Sequence, residues 1–327
     1  MQSWMSALSV LMLSALTVLS LEGPDKFPPF NYCYTEDSCN PYNWVKIFPT
    51  CIASGSALQS PINLEYAATE NNSISPLELR GFDVPQRSWT VVNVRDTVVV
   101  KFQAGMTVKG GSIKHNYRIV EMRFHWGSNT TNGSEHKLDG HRFPMEMQIV
   151  GLAPGFADVE AASLVQSGLL MMGVFINIAS DENKAFKAIA HAVLSVPYPG
   201  DSVTVTPSAL SHLLPDSYKF YQYHGGQTTP PCRQTVTWIV FEEPVFISRE
   251  QYLAFITHLY YSDKNDTMKK LLVENYRFIQ PRLNRQIFVS SAVKIRSAKG
   301  AAQSQHTLFI PLFILTNELF LVYIYAV

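Results

Sequence analysis

Apolar positions recur along the chain with two different periods, and each change of period marks a new element. Runs rich in β-branched and aromatic residues predict strands at Val91 to Phe102, Asn116 to Trp126, Met145 to Leu152, Leu169 to Ile178 and Thr235 to Phe241. Helical spacing predicts helices at Ala157 to Ser167, Asn183 to Val193 and Ser248 to Tyr260. The last opens with Ser248-Arg249-Glu250-Gln251, the spacing at which a Ser side chain and a Gln side chain cap the first turn reciprocally. No internal repeat or low-complexity linker divides these elements, so residues 21–295 read as one mainly β domain, a sheet with peripheral helices.

The two ends depart from that pattern. Met5 to Leu21 is almost wholly apolar or small, too short to span a bilayer comfortably, and Val18 and Ser20 sit at the spacing a signal peptidase reads; residues 1–20 are expected to be a signal peptide. Leu308 to Val327 is a 20-residue apolar run broken by Asn317 and Glu318. As a permanent helix it would hold a carboxylate near mid-bilayer at a cost of about 2.5–3.5 kcal/mol. Residues 296–307 carry small residues followed by a polar stretch, the site and spacer of a GPI signal, with Ser297, Ala298 and Gly300 as candidate attachment residues and 308–327 as the tail removed. The expected location is the outer face of the plasma membrane, held by a GPI anchor.

Composition adds two constraints. With 46% apolar and 16% charged residues in 327 the chain can build a large core, and 26 Lys+Arg balanced by 26 Asp+Glu gives no sign of a nucleic-acid partner. Cys33, Cys39, Cys51 and Cys232 are an even set in an oxidising compartment and allow three pairings. Local spacing favours Cys33 with Cys39, which leaves Cys51 for Cys232. Sequons at Asn71, Asn129, Asn132 and Asn265 agree with an exported surface, although Asn129 and Asn132 are too close together for both to be filled.

The run Tyr117-Arg118-Ile119-Val120-Glu121-Met122-Arg123-Phe124-His125-Trp126-Gly127, followed by Gly133-Ser134-Glu135-His136 and Glu146-Met147-Gln148, resembles the α-carbonic anhydrases at family spacing. Gln59-Ser60-Pro61-Ile62-Asn63, Thr228-Thr229-Pro230-Pro231 and Val236-Thr237-Trp238-Ile239-Val240 extend the resemblance over about Tyr32 to Arg285. The cysteines, the leader and the apolar tail look most like the extracellular, GPI-anchored branch. The resemblance implies a large, twisted, mostly antiparallel central sheet with an active-site cone opening onto its middle.

Carbonic anhydrase is the standard example of a catalytic three-histidine zinc site. Two ligands stand at i and i+2 of one strand, where alternation puts them on one face, and the third comes from the neighbouring strand. The matching positions here are Arg123, His125 and Gln148, so two of the three imidazoles are replaced. A guanidinium has no lone pair to offer and keeps its charge, and a neutral amide is a poor zinc ligand, so no zinc is expected. Glu121, Arg123 and His125 would share a face, as would Glu146 and Gln148; Arg123 is then expected to pair with two or three carboxylates in an organic ion network. By resemblance Glu135 would lie beneath the site, bonded to the Thr228 hydroxyl.

The resemblance also places Asp96 at the family's proton-shuttle histidine, where a carboxylate with a pKa near 4 would be poorly matched to neutral pH. Of the carbon dioxide pocket positions, Val150 and Trp238 are kept, whereas Met171 replaces a smaller residue and Gln227 a leucine. His136 resembles a structural histidine of the family. The expected function is therefore a catalytically inactive, cell-surface member of this family that binds an extracellular protein or glycan partner and needs no cofactor. The alternative is a weak or atypical zinc-dependent carbonate dehydratase or esterase.

Overall fold

The computed structural model describes residues 31–52, 57–66 and 74–291. The expected signal peptide, spacer and apolar tail, together with Ser297, Ala298, Gly300 and the sequon at Asn71, lie outside the described residues. Among the described residues, no helix is long and apolar enough to cross a membrane.

The strands in chain order are β1 (Asn63–Leu64), β2 (Ser75–Arg80), β3 (Trp89–Asn93), β4 (Val98–Lys101), β5 (Thr107–Gly111), β6 (Tyr117–Trp126), β7 (Lys137–Leu138), β8 (Met145–Leu152), β9 (Leu169–Ala179), β10 (Ser202–Val205), β11 (Phe220–Gly225), β12 (Val236–Phe241), β13 (Val245–Ser248) and β14 (Phe288–Val289). The helices are α1 (Trp44–Ile47), α2 (Val159–Ser163), α3 (Lys187–Val193) and α4 (Arg249–His258). Twelve strands form one sheet along the path β10-β3-β4-β6-β8-β9-β12-β11-β14, with β5 joining β6, β2 joining β5, and β13 joining β9. Its pairs are antiparallel except β9 with β12 and β9 with β13. The short β1 and β7 pair separately.

Both faces of the sheet's centre are covered, which is why β9 and β12 read as nearly unbroken apolar runs. On one face Met122, Phe124, Met147, Ile149 and Val174 pack in the cluster that holds Ile189 of α3 and Phe255 of α4. On the other, Val150, Met171, Phe175, Trp238 and Val240 form a second cluster. A bulge decides which face the middle of β6 offers. Ile119 pairs with Gly151 but Glu121 pairs with Val150, so Val120 is an extra residue on β6. Tyr117 and Ile119 enter the first cluster, yet after the bulge it is Met122, Phe124 and Trp126 that do so. Glu121, Arg123 and His125 are thereby turned to the opposite face.

The predicted strand Val91 to Phe102 is two strands. The chain reverses between β3 and β4, where Arg95 adopts φ +80° and its N–H donates to Asn93 Oδ1 at 2.9 Å. The β-branched residues on either side hide this turn from a pattern reading. Helix α3 starts later than predicted because Asn183 makes a turn, its Oδ1 accepting from the Ala185 and Phe186 N–H groups. Helix α4 carries the expected reciprocal cap between Ser248 and Gln251. The four cysteines form Cys33–Cys39 and Cys51–Cys232, as local spacing favoured. A close chain crossing brings the 133–136 loop to the sheet: a Cβ on Gly133 would lie 1.9 Å from the Gly127 nitrogen, so only glycine fits.

Candidate functional site

Three strands and two loops meet over the centre of the second face. The antiparallel register sets Arg123 opposite Gln148, His125 opposite Glu146 and Glu121 opposite Val150, with Val99 of β4 on the other side of Arg123. The loop after β6 brings Glu135 and His136, and the loop after β11 brings Gln227 and Thr228.

Arg123 reaches one carboxylate directly: Nε and Nη2 both lie 2.7 Å from Glu121 Oε1. Burial alone would lower the guanidinium pKa, but the Glu121 and Asp96 carboxylates outweigh it and hold the group above its ordinary value. Of the carboxylates expected around Arg123, Glu121 bonds it and Asp96 acts on it through its charge, whereas Glu135 and Glu146 are engaged elsewhere. Glu146 accepts from the His136 backbone N–H and from His136 Nδ1, both at 2.8 Å, and from Gln148 Nε2 at 3.0 Å. Burial would raise its pKa, yet these contacts, led by His136, hold it below the usual carboxylate range. Glu135 accepts from Gln148 Nε2 and from the Arg277 backbone N–H at 2.9 Å each, and lies 3.4 Å from His125 Nε2. Its expected bond to the Thr228 hydroxyl is absent from this set.

These contacts orient Gln148 and His125 unambiguously. The two N–H donors of the Gln148 amide each face a carboxylate, so the amide cannot be turned without setting oxygen against oxygen. Its Oε1 is buried and unpartnered. His125 Nδ1 donates to the Asn275 carbonyl at 2.6 Å, which leaves Nε2 as the ring nitrogen on the Glu135 side, 3.4 Å from that carboxylate. The available donor set is one imidazole nitrogen and one amide oxygen beside a guanidinium. Among the described residues, no group of three or more His, Cys, Asp or Glu is placed to hold a metal ion.

A cavity of about 20 Å³ lies at this point, lined by Arg123, His125, Gln148, Val150, Met171, Gln227 and Thr228. Trp238 does not line it. The indole packs edge-on beneath it against His136, with ring centroids 4.7 Å apart, and donates to the Gly226 carbonyl. Asp96 faces a neighbouring cavity with Tyr32, Tyr34 and Arg95, and is only 7% exposed. Its Oδ2 accepts from the Tyr32 hydroxyl at 2.7 Å. Burial raises its pKa against the opposing pull of Tyr32 and Arg123, so the ordinary carboxylate value assumed from sequence does not hold.

Several residues that build the site have no local sequence signal. Asn275 accepts from the Trp126 N–H and donates to the Asp96 and Phe124 carbonyls. Arg277 bonds to Gln59, Ser60 and the Cys51 carbonyl. Both lie in irregular chain about 150 residues beyond His125, and only the fold brings them there. The sequons at Asn129, Asn132 and Asn265 are exposed.

A family model described as eukaryotic-type carbonic anhydrase matches residues 39–291. Carbonic anhydrase 4 of Mus musculus is 34% identical over 238 residues, 72% of this chain and 75% of that protein. Carbonic anhydrase 12 of Homo sapiens is 32% identical over 264 residues, covering 79% of this chain and 73% of its own length. Receptor-type tyrosine-protein phosphatase zeta of Homo sapiens is 35% identical over 273 residues, which is 81% of this chain but 12% of that receptor.

Proposed function

Because the chain belongs to the eukaryotic-type carbonic anhydrase family, we propose that it is a member that has given up hydration and serves as a cell-surface binding protein. The observation that carries this reading is the pair Arg123 and Gln148, opposite each other where the family resemblance puts two zinc ligands. A guanidinium paired with Glu121 offers no lone pair, and Gln148 turns its amide nitrogen to Glu135 and Glu146. One imidazole and one amide oxygen do not fit a catalytic zinc, which takes three protein ligands and a water. Without a metal, no side chain here could lower the pKa of water from 15.7 to about 7, so the hydration step has no nucleophile at neutral pH.

The binding half of the reading rests on two supports. A protein named as a receptor carries this same kind of domain in a small part of its length. The leader, the small-residue site and the apolar tail of this chain support display on the outer membrane face through a GPI anchor, where an extracellular protein or glycan would be met. Neither zinc nor another cofactor is required.

Elemental analysis of the secreted ectodomain, paired with stopped-flow carbon dioxide hydration, tests this reading. The expected result is substoichiometric zinc and no hydration above buffer. Stoichiometric zinc with hydration abolished by a chelator would overturn it in favour of an atypical zinc enzyme.

A further inference from the structure

The cavity beside Arg123 keeps an unmatched set of hydrogen-bonding groups. Gln148 Oε1 and Gln227 Oε1 are both buried without a partner, and both residues line the same cavity. Gln148 is fully buried, and its orientation is fixed by the two carboxylates behind it. Buried carbonyl-type oxygens in native proteins almost always find a donor, in protein or in water. Arg123 commits Nε and Nη2 to Glu121, which leaves Nη1 as a donor, and its side chain is 26% exposed.

Two acceptors and one donor call for the inverse set, two donors and one acceptor on one small group. Water has that set, and so does a primary carboxamide, with its NH2 for the two oxygens and its carbonyl for the guanidinium. The space, about 20 Å³, exceeds the roughly 10–15 Å³ that one water needs, so a single polar group fits at the bottom. Val150, Leu169 and Met171 supply an apolar wall for an alkyl substituent. An anion has no donors for the amide oxygens, and it would meet Glu135 and Glu146 directly behind Gln148 while Arg123 is already neutralised by Glu121. An ammonium group would meet the guanidinium.

We infer that the Arg123 cavity is a site for a small neutral hydrogen-bond donor, a water that a primary carboxamide can displace, bound at Gln148 Oε1 and Gln227 Oε1. The inference rests on the metal-free reading above and extends it, because it names the class of ligand the cavity selects when no dication occupies it.

The test uses crystals of the disulfide-intact, secreted ectodomain equilibrated separately with acetamide, sodium acetate and methylammonium chloride at equal concentration, with NMR titration of the same probes in solution. Without additive, a water should lie within hydrogen-bond distance of Gln148 Oε1. Acetamide should replace it with nitrogen toward Gln148, while acetate and methylammonium leave it in place. Gln227→Leu removes one acceptor and should weaken acetamide binding about three- to tenfold. Displacement by acetate, a cavity with no water or amide at Gln148, or unchanged acetamide affinity in Gln227→Leu would overturn the inference. If that variant is not secreted, the three-probe comparison on the wild type decides alone. Zinc content of the same preparation is read separately: stoichiometric zinc defeats the metal-free reading, whereas acetate binding in zinc-free protein defeats this inference only.

Discussion

Arg123 on β6 and Gln148 on β8 stand directly opposite each other in antiparallel register. They are the two positions where the family resemblance calls for imidazoles, and a single cross-strand pair therefore accounts for both replacements. Around that pair, His125 bonds to the Asn275 carbonyl, and Glu135 and Glu146 both accept from the Gln148 amide.

Restoring that pair should restore the metal. Arg123→His with Gln148→His would complete three imidazoles around the cavity and should bind zinc stoichiometrically, while Arg123→His alone binds it weakly. Hydration by the double variant should stay well below that of an ordinary family member, because Met171 and Gln227 still line the cavity and Asp96 is buried against Tyr32. Zinc analysis and stopped-flow assays check both parts; a double variant that folds but takes up no zinc would show that the scaffold has drifted beyond its ligands.

The two disulfides should differ in weight. Cys51–Cys232 closes a loop with a sequence separation of 181, against 6 for Cys33–Cys39. Chain-entropy arithmetic assigns about 5 kcal/mol to the long loop and about 2 kcal/mol to the short one. Replacing Cys51 and Cys232 with Ser should lower the melting temperature well beyond the loss from replacing Cys33 and Cys39. Equal losses in calorimetry would contradict this.

Asp96 should make its own mark on the pH dependence of stability. Its carboxyl has a folded pKa raised above 3.8, chiefly by burial, so the folded state disfavours its ionised form. Its contribution is fully favourable below the unfolded pKa and is lost as pH rises through the higher folded value. Asp96→Asn keeps an acceptor for the Tyr32 hydroxyl and removes this titration. The stability of the variant minus that of the wild type should therefore increase between about pH 3 and pH 7 in denaturant titrations. A difference that stays flat or decreases would show that Asp96 is not held in this way.

Membrane attachment is open to direct assay. Phosphatidylinositol-specific phospholipase should release the protein from cells, and the released chain should lack Leu308 to Val327. Recovery of the intact tail from membrane-bound protein by mass spectrometry would identify a retained helix instead.

The sequence alone determined the elements that depend on local periodicity. β6, β8, β9 and β12 fall where their apolar runs predict, and the Ser248 to Gln251 cap is in place, because strand alternation and first-turn hydrogen bonds involve residues close in the chain. The pairing of Cys33 with Cys39 was legible for the same reason, and the motifs from Tyr117 to Gln148 sufficed for the family. The turn at Arg95 was hidden because the residues flanking it favour strand as strongly as a strand interior would. What only the tertiary structure decided is how the charges are shared. Alternation puts Glu121, Arg123, Glu146 and Gln148 on one side of the sheet, and from that alone Arg123 should collect every nearby carboxylate. The fold instead gives Glu135 and Glu146 to donors from distant segments, His136 and the Arg277 backbone, while Gln148 satisfies both at once. Arg123 is left with Glu121 and two amide oxygens are left without donors. Hydrogen bonding inside a packed core is a competition among all groups within about 3 Å, and residues far apart in sequence enter that competition only once the sheet has closed around them.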